Sequence, residues 1–236
     1  MNLPDALYAP PIAHRGLWTP GEVAENSLTA FERACQAGYG LEFDVRLSSD
    51  GEAMVFHDDS LERMTGVTGA VEAGTARELA ALPLLGGPDR IPSLAETLEL
   101  VAGRAMLLIE LKPGPQGALA LAARAVQLID HYRGPAAVIS FDAESLAWLA
   151  SRRPELPRGL DAMGVDQPAG EAAFERNCDL ADPDFLVLEL NSALTPAAMR
   201  RRADGKPVIA WTVRGPEDAA KVAEHCENFI FEGFTG

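Results

Sequence analysis

The chain has 236 residues, 47% of them hydrophobic, and its 35 acidic against 20 basic residues give a formal net charge of −15. This hydrophobic content is sufficient for one packed core and argues against a disordered chain. The acidic balance excludes the general basic footprint that nonspecific binding to nucleic acids or anionic membranes requires.

Short apolar runs and amphipathic stretches alternate along the first part of the chain. The sequence predicts, in chain order, a strand at residues 12–13, a helix at 27–36 and strands at 41–47 and 53–57. An Asp-Gly turn joins the last two strands, which predicts a hairpin whose place in a larger sheet stays open. Residues 58–90 have an irregular pattern with several Gly and Pro residues, and we predict an excursion with one small helix near 76–81.

Strand and helix patterns then repeat to the end of the chain. Predicted strands lie at residues 106–112, 136–141, 158–160, 185–190, 208–213 and 229–231. Predicted helices lie at residues 93–101, 119–132, 143–152, 171–178, 196–203 and 216–225. Apolar strands that alternate with helices are typical of a buried parallel sheet covered by helices. Eight or nine strands are enough for a closed barrel, and no glycine-rich dinucleotide-binding turn follows a strand.

Two carboxylates interrupt the apolar pattern of the second strand. Glu42 and Asp44 share one face of this strand, because side chains two residues apart point the same way. Carboxylates side by side repel each other, so the pair needs a cation, a shared proton or a substrate charge nearby. His57 ends the next strand, and this combination indicates a metal-assisted acid/base site.

Other strands also end in polar or aromatic side chains. His14 follows the first strand, Glu110 and Lys112 end a strongly apolar one, and Trp211 and Arg214 come late in another. Each of these residues alone is commonly structural, as a core side chain or an ion pair. The C-terminal ends of barrel strands meet at one rim, where the active site of such barrels lies, so their coincidence favours one site. Oxygen ligands favour magnesium or calcium over zinc.

Five ordered motifs carry a resemblance to a known family: Ile12-Ala13-His14-Arg15-Gly16, Glu25-Asn26-Ser27, Glu42-Phe43-Asp44-Val45, Val55-Phe56-His57-Asp58 and Glu110-Leu111-Lys112. With residues 138–141 and 211–213, they resemble the glycerophosphodiester phosphodiesterases of the phospholipase-C-like barrel superfamily, over essentially the whole chain. The resemblance implies an α/β fold of the (β/α)8 TIM type, in one catalytic domain at residues 1–236. Residues 58–90 would form a small inserted subdomain near the barrel mouth.

The resemblance also implies a reaction and its central residues. Glycerophosphodiesters would be hydrolysed to glycerol 3-phosphate and an alcohol, in phospholipid breakdown or phosphate salvage. His14 and His57 would be the general acid/base pair, in an undecided order. One divalent cation, Mg²⁺ or Ca²⁺, would be held by Glu42, Asp44 and Glu110. The nucleophile would be water, or the neighbouring glycerol hydroxyl through a cyclic phosphate.

Substrate-binding roles follow from the same resemblance. Arg15 and Lys112 would contact the phosphate, and Trp211 would pack against the glycerol carbons. Two alternatives stay open: a phosphodiesterase for lysophospholipid or phosphoinositide head groups, and a non-catalytic barrel that binds a phosphate ligand.

Two segments depart from the family pattern, and one residue has a predicted structural role. Arg214 stands where members often have asparagine, and residues 231–234 read Phe-Glu-Gly-Phe where many members have Thr-Asp. Both departures concern how the alcohol end of the substrate is recognised. Asn26 is predicted to cap the helix that begins at Ser27.

Location and partners are predicted from features of the whole chain. No apolar run approaches the ~20 residues of a membrane span. Residues 1–11 lack the basic start of a signal peptide, and three widely spaced cysteines are typical of reduced thiols. We therefore expect a cytoplasmic protein with a small-molecule phosphodiester substrate, no nucleic acid partner and no stable membrane association. The oligomeric state is open.

Overall fold

Nine strands lie within residues 3–234, the part of the chain that the computed structural model describes. They are β1 (Ile12–His14), β2 (Gly40–Leu47), β3 (Ala53–Val55), β4 (Leu107–Leu111), β5 (Ala136–Ser140), β6 (Arg158–Ala162), β7 (Phe185–Glu189), β8 (Val208–Val213) and β9 (Asn228–Phe231). β1 pairs in parallel with both β9 and β2, which closes a ring in the order β1-β9-β8-β7-β6-β5-β4-β2. The predicted TIM-type barrel is therefore confirmed. The expected span of 1–236 includes residues 1, 2, 235 and 236, which lie outside the described range.

Helices lie between the strands and cover the barrel. In the described range they are α1 (Leu28–Ala37), α2 (Glu62–Thr65), α3 (Ala76–Leu79), α4 (Leu94–Val101), α5 (Ala118–Ile129), α6 (Ala143–Arg152), α7 (Pro168–Ala181), α8 (Leu190–Ala193), α9 (Pro196–Ala203) and α10 (Pro216–Val222). Most predicted helices differ from these by a few residues at their ends. The helix predicted at 171–178 is longer, and Leu190 begins α8 instead of ending β7. No helix of the described part has the length and apolarity needed to cross a bilayer.

The hairpin predicted from the Asp-Gly turn is present and lies outside the ring. β3 pairs antiparallel with the end of β2, where Val45 is opposite Val55, and has no other strand neighbour in residues 3–234. The chain then runs through α2 and α3, which pack around a separate hydrophobic cluster that includes Phe56, Leu79 and Ile91. β3 thus brings His57 back to the end of β2.

Side chains alternate between the inside of the barrel and its helix-facing side. The inside is filled by a cluster that includes Leu108 and Val187. The helix-facing cluster is larger and includes Phe43 of β2. Because a strand has a period of two residues, Glu42 and Asp44 point to the inside.

Candidate active site

Three carboxylates meet on the neighbouring strands β2 and β4. The strand register places Asp44 opposite Glu110. One oxygen each from Glu42, Asp44 and Glu110 lies within 4.8 Å of the others, and all three residues are buried. Oε1 of Glu42 has no hydrogen-bond partner among the described residues. Oxygens that share a Mg²⁺ or Ca²⁺ ion lie ~2.0–2.6 Å from it and therefore ~3–5 Å from each other, so this donor set fits a hard divalent cation.

Two cationic side chains lie against the carboxylates. Nζ of Lys112 is 2.6 Å from Glu110 Oε1 and 3.2 Å from Asp44 Oδ1, and Nε of Arg15 is 3.4 Å from Asp44 Oδ2. Burial acts to raise the pKa of Asp44, but the charges of Lys112 and Arg15 hold that pKa well below its usual range. Burial and the neighbouring carboxylates raise the pKa of Glu42 well above its usual range and that of Glu110 to about 7. The three carboxylates therefore repel one another more than Lys112 and Arg15 offset, and a further positive charge would favour ionisation of all three.

His14 is oriented by a carboxylate from the last strand end. Its Nδ1 is 2.6 Å from Oε2 of Glu232, and Nε of Arg214 donates a hydrogen bond of 2.8 Å to the other carboxylate oxygen. The hydrogen bond from His14 lowers the pKa of Glu232 to about 2. An ionised carboxylate only accepts hydrogen bonds, so Nδ1 of His14 carries a proton. This leaves Nε2, which is 3.8 Å from Glu42 Oε2, for exchange of a proton with substrate.

His57 is likewise oriented by a carboxylate that an arginine holds in place. Its Nδ1 is 2.7 Å from Oδ1 of Asp58, and Nε of Arg63 donates a hydrogen bond of 2.6 Å to Asp58 Oδ2. Burial opposes the shift, yet the hydrogen bonds from Arg63 and His57 lower the pKa of Asp58 to about 2. Burial also lowers the pKa of His57, against the charge of Asp44.

The predicted role of Asn26 as a helix cap is wrong. Oγ of Ser27 accepts the hydrogen bond from the Ala30 amide and caps α1. Asn26 instead has a positive φ of 53°, and its Nδ2 donates a hydrogen bond of 2.8 Å to Asp44 Oδ2. Asn26 therefore orients one of the three clustered carboxylates.

Arg15 is held by a second carboxylate beside the cluster. Its Nη1 donates a hydrogen bond of 2.7 Å to Oε1 of Glu25, which also accepts one of 2.7 Å from Nη2 of Arg63. These bonds hold both guanidinium groups in position at the rim.

A cavity of about 330 Å³ joins these residues at the barrel mouth. Seven of the eight residues selected from the sequence line it, and Asp44 lies beneath it with 0% exposure. The opposite wall is aromatic and apolar: Trp211 meets Phe141 edge to face at 5.9 Å, and the side chain of Met163 is 61% exposed. Asp161, which was not selected from the sequence, lies in this wall.

The barrel and its site have counterparts among known proteins. A model of the glycerophosphoryl diester phosphodiesterase family matches residues 14–226. The chain belongs to this family. A glycerophosphodiester phosphodiesterase of Caldanaerobacter subterraneus subsp. tengcongensis is 34% identical over 231 residues, covering 89% of this chain and 88% of that protein.

Solved structures of the family support the same assignment. The phosphodiesterase of Oleispira antarctica in complex with the product sn-glycerol-3-phosphate has a TM-score of 0.84 and 26% identity, covering 96% of this chain and 94% of that one. The glycerophosphodiester phosphodiesterase of Thermotoga maritima has a TM-score of 0.74 and 26% identity, covering 93% and 92%. The predicted family and enzyme class, a glycerophosphodiester phosphodiesterase, are confirmed.

Sequence reasoning missed three carboxylates at the mouth of this phosphodiesterase. Asp58 directly follows His57 in its motif, and nothing in the sequence indicates that its carboxylate contacts the histidine ring. Glu232 lies in a segment that departs from the family pattern, and nothing in the sequence indicates that its carboxylate contacts His14. Asp161 has the clearest signal: it follows Gly159 by two residues on β6, so it faces the same side at the C-terminal end of the strand.

Proposed function

We propose that this enzyme hydrolyses glycerophosphodiesters to glycerol 3-phosphate and an alcohol, with one divalent cation, Mg²⁺ or Ca²⁺. The observation that carries the proposal is the convergence of two histidines and three clustered carboxylates on one cavity. The relative with bound sn-glycerol-3-phosphate supports glycerol 3-phosphate as the product.

Charge is the first requirement of the reaction. A phosphodiester carries one negative charge, which repels an attacking oxygen and increases in the transition state. Lys112 and Arg15 line the cavity and would bind the phosphate oxygens. Glu42, Asp44 and Glu110 would hold the cation, which supplies a Lewis acid that polarises the phosphoryl group.

Proton transfer is the second requirement. Nε2 of one histidine would take the proton from the nucleophile, and Nε2 of the other would give a proton to the leaving alkoxide. Glu232 and Asp58 would keep a proton on Nδ1 of His14 and His57, so that Nε2 is the exchanging atom of each ring. The base would present Nε2 without a proton, and the acid would be the imidazolium form, which carries a second proton on Nε2. Either water or the neighbouring glycerol hydroxyl would be the nucleophile.

The glycerol carbons would pack against Trp211, whose Nε1 donates a hydrogen bond of 3.3 Å to the Val187 carbonyl and so fixes the ring.

We also propose that residues 58–90 form a small subdomain inserted into the single barrel domain. Their separate hydrophobic cluster supports this, and the bonds of Arg63 to Glu25 would hold the subdomain at the mouth.

The test is release of glycerol 3-phosphate from glycerophosphocholine and glycerophosphoethanolamine, with Mg²⁺, with Ca²⁺ and with a chelator. We expect cation-dependent release, and we expect His14→Ala and His57→Ala each to lower kcat by about 100- to 10,000-fold. His131→Ala is the matched control, because His131 is exposed and does not line the cavity.

Other outcomes would contradict parts of the proposal. Near-normal turnover in both active-site variants would refute the assigned acid/base pair. Faster release from lysophospholipids or phosphoinositides than from the soluble diesters would change the substrate class. Binding of the diesters without any product, after long incubation with either cation, would indicate a binding protein.

A further inference from the structure

Asp161 is a buried carboxyl group that the proposed reaction does not use. The residue is 4% exposed, lies on β6 and lines the cavity at the barrel mouth. Its Oδ1 has no hydrogen-bond partner among the described residues. A buried polar atom without a partner is costly, and native structures rarely keep one without a ligand or water to satisfy it.

The surroundings of Asp161 differ from those of the clustered carboxylates. No ion pair joins Asp161 to a cationic side chain within residues 3–234, whereas Asp44 and Glu110 both pair with Lys112. Asp161 instead shares its part of the cavity with the apolar wall of Phe141, Met163 and Trp211. Such a site suits one polar group carried on a carbon skeleton.

The electrostatics favour an uncharged partner group. A carboxyl group accepts hydrogen bonds in either protonation state, so the hydroxyl of an alcohol can donate one to it. Nζ of Lys112 already lies 5.8 Å from the centre of the Phe141 ring, and this positive charge disfavours a second cation against the same wall.

We propose that Asp161 determines specificity by hydrogen bonding to the hydroxyl groups of the substrate's glycerol moiety. The inference rests on the proposed function, because it assumes that the phosphate lies at the carboxylate cluster. Asp161 lies two strands from Glu110 and two from Trp211 around the ring. A glycerol whose phosphate is at the cluster and whose carbons lie on Trp211 therefore passes Asp161.

Two chromogenic diesters with the same leaving group test this assignment: glyceryl p-nitrophenyl phosphate and propyl p-nitrophenyl phosphate. Leu has the same branched skeleton as Asp, so Asp161→Leu replaces both oxygens with methyl groups, which are larger and form no hydrogen bonds. We expect this variant to lose about 10- to 100-fold in kcat/KM for the glyceryl diester and less than about twofold for the propyl diester. Asp161→Asn keeps hydrogen-bonding groups and should recover most of the loss.

The control variant is Ser140→Ala, on the neighbouring strand β5. Its hydroxyl is equally buried and donates a hydrogen bond of 2.9 Å to the Leu111 carbonyl, outside the cavity. This variant should leave the ratio of the two kcat/KM values unchanged. Isothermal calorimetry with sn-glycerol 3-phosphate and with propyl phosphate makes the same comparison without turnover. In Asp161→Leu, the affinity for sn-glycerol 3-phosphate should fall and the affinity for propyl phosphate should not.

Three other results would overturn the inference, and a fourth would separate it from the proposed function. Equal losses on both diesters in Asp161→Leu would assign the residue to folding, and no loss on either would leave it without a role in recognition. A loss confined to glycerophosphoethanolamine, with the glyceryl diester unaffected, would assign it to the ammonium group instead. If the wild-type protein hydrolysed neither diester, but Asp161→Leu weakened binding of sn-glycerol 3-phosphate and not of propyl phosphate, the proposed function would fail and the role of Asp161 would stand.

Discussion

Glu232 gives the sharpest test of how the catalytic histidines are positioned. Its Oε2 accepts the 2.6 Å hydrogen bond from His14 Nδ1, and it touches no other predicted catalytic residue in the described hydrogen bonds and ion pairs. Both side chains are only 16% exposed. The bond is therefore shielded from water, unlike a surface ion pair, which is worth little.

The expected magnitude follows from the charge and burial of this bond. A hydrogen bond to a charged group contributes ~1.5–3 kcal/mol, and ~1.4 kcal/mol corresponds to tenfold in rate. Glu232→Gln keeps an acceptor oxygen but loses the charge that stabilises a protonated ring, so we expect kcat to fall about tenfold. Glu232→Leu removes the acceptor, and we expect a fall of about 100-fold. KM should change little, because Glu232 would orient a proton-transfer group and not bind the phosphate.

The assay measures kcat and KM for glycerophosphocholine in both variants, together with the thermal midpoint. Nitrogen NMR of the His14 ring adds a readout that a merely structural role would not move, since Glu232→Leu should shift the proton from Nδ1 towards Nε2. The matched control is Glu227→Gln. Glu227 also pairs with an arginine, Arg202, at 2.7 Å and accepts a hydrogen bond from the Val208 amide, but it lies at the opposite end of the barrel.

Three results would refute the reasoning about Glu232. The first is an unchanged kcat in Glu232→Leu, and the second is a rise in KM with kcat intact, which would make Glu232 a binding residue. The third is an equal loss of kcat in Glu227→Gln, which would show that any lost ion pair in the barrel slows turnover.

Three further predictions concern stability. Gly159→Ala should lower the free energy of unfolding by ~1–3 kcal/mol, because an added Cβ would lie 2.4 Å from the ring of Phe185 inside the barrel. Gly215→Ala, with open space around it and an extended φ of 176°, should change that free energy by less than ~0.5 kcal/mol in the same urea titration; equal effects would contradict the packing argument. The pKa of Asp58 is lowered to about 2 in the folded protein, so its ionised carboxylate stabilises the fold. This contribution is present above ~pH 4 and disappears as the pH falls towards 2. Asp58→Asn should therefore flatten this part of the pH dependence of unfolding, and a wild-type slope would contradict the assignment. Adding Mg²⁺ or Ca²⁺ to chelator-treated protein should raise the thermal midpoint with concentration, and a midpoint independent of both ions would argue against a resident cation.

The acidic part of the site could be predicted because its geometry is local. Glu42 and Asp44 share a face through the period of two within one strand. Parallel strands then bring Glu110 opposite Asp44, as the observed register shows. Patterns along the sequence therefore predict these residues together with the barrel.

The contact between His14 and Glu232 could not be predicted from such patterns. The two residues are 218 positions apart. They become neighbours only because the closing pair β1 and β9 places Ala13 opposite Phe231, so that the next residue of each strand lies at the same height. Sequence periodicity predicts that strands close a ring but not their relative register.

Local rules also gave two errors of detail. The residue types of Asn26 and Ser27 both suit a helix cap, and the capping preference does not separate them. Asp44 decides between them, since it takes the hydrogen bond of Asn26. The pattern at 158–160 predicts only a weak strand that ends one residue before Asp161, whereas β6 continues to Ala162.

The charge balance of the site connects the acidic chain to its anionic substrate. A net charge of −15 repels a phosphodiester over the whole surface. At the mouth, Arg15 and Lys112 face Glu42, Asp44 and Glu110, which is two positive charges against three negative ones when all are ionised. At a pH that ionises all three, these cations alone therefore do not make the cavity attractive to phosphate, and the raised pKa values of Glu42 and Glu110 reflect this imbalance. A bound divalent ion would favour the ionised carboxylates and would change this sum from one excess negative charge to one excess positive charge. Substrate affinity, and not only the rate of the chemical step, should consequently depend on the cation.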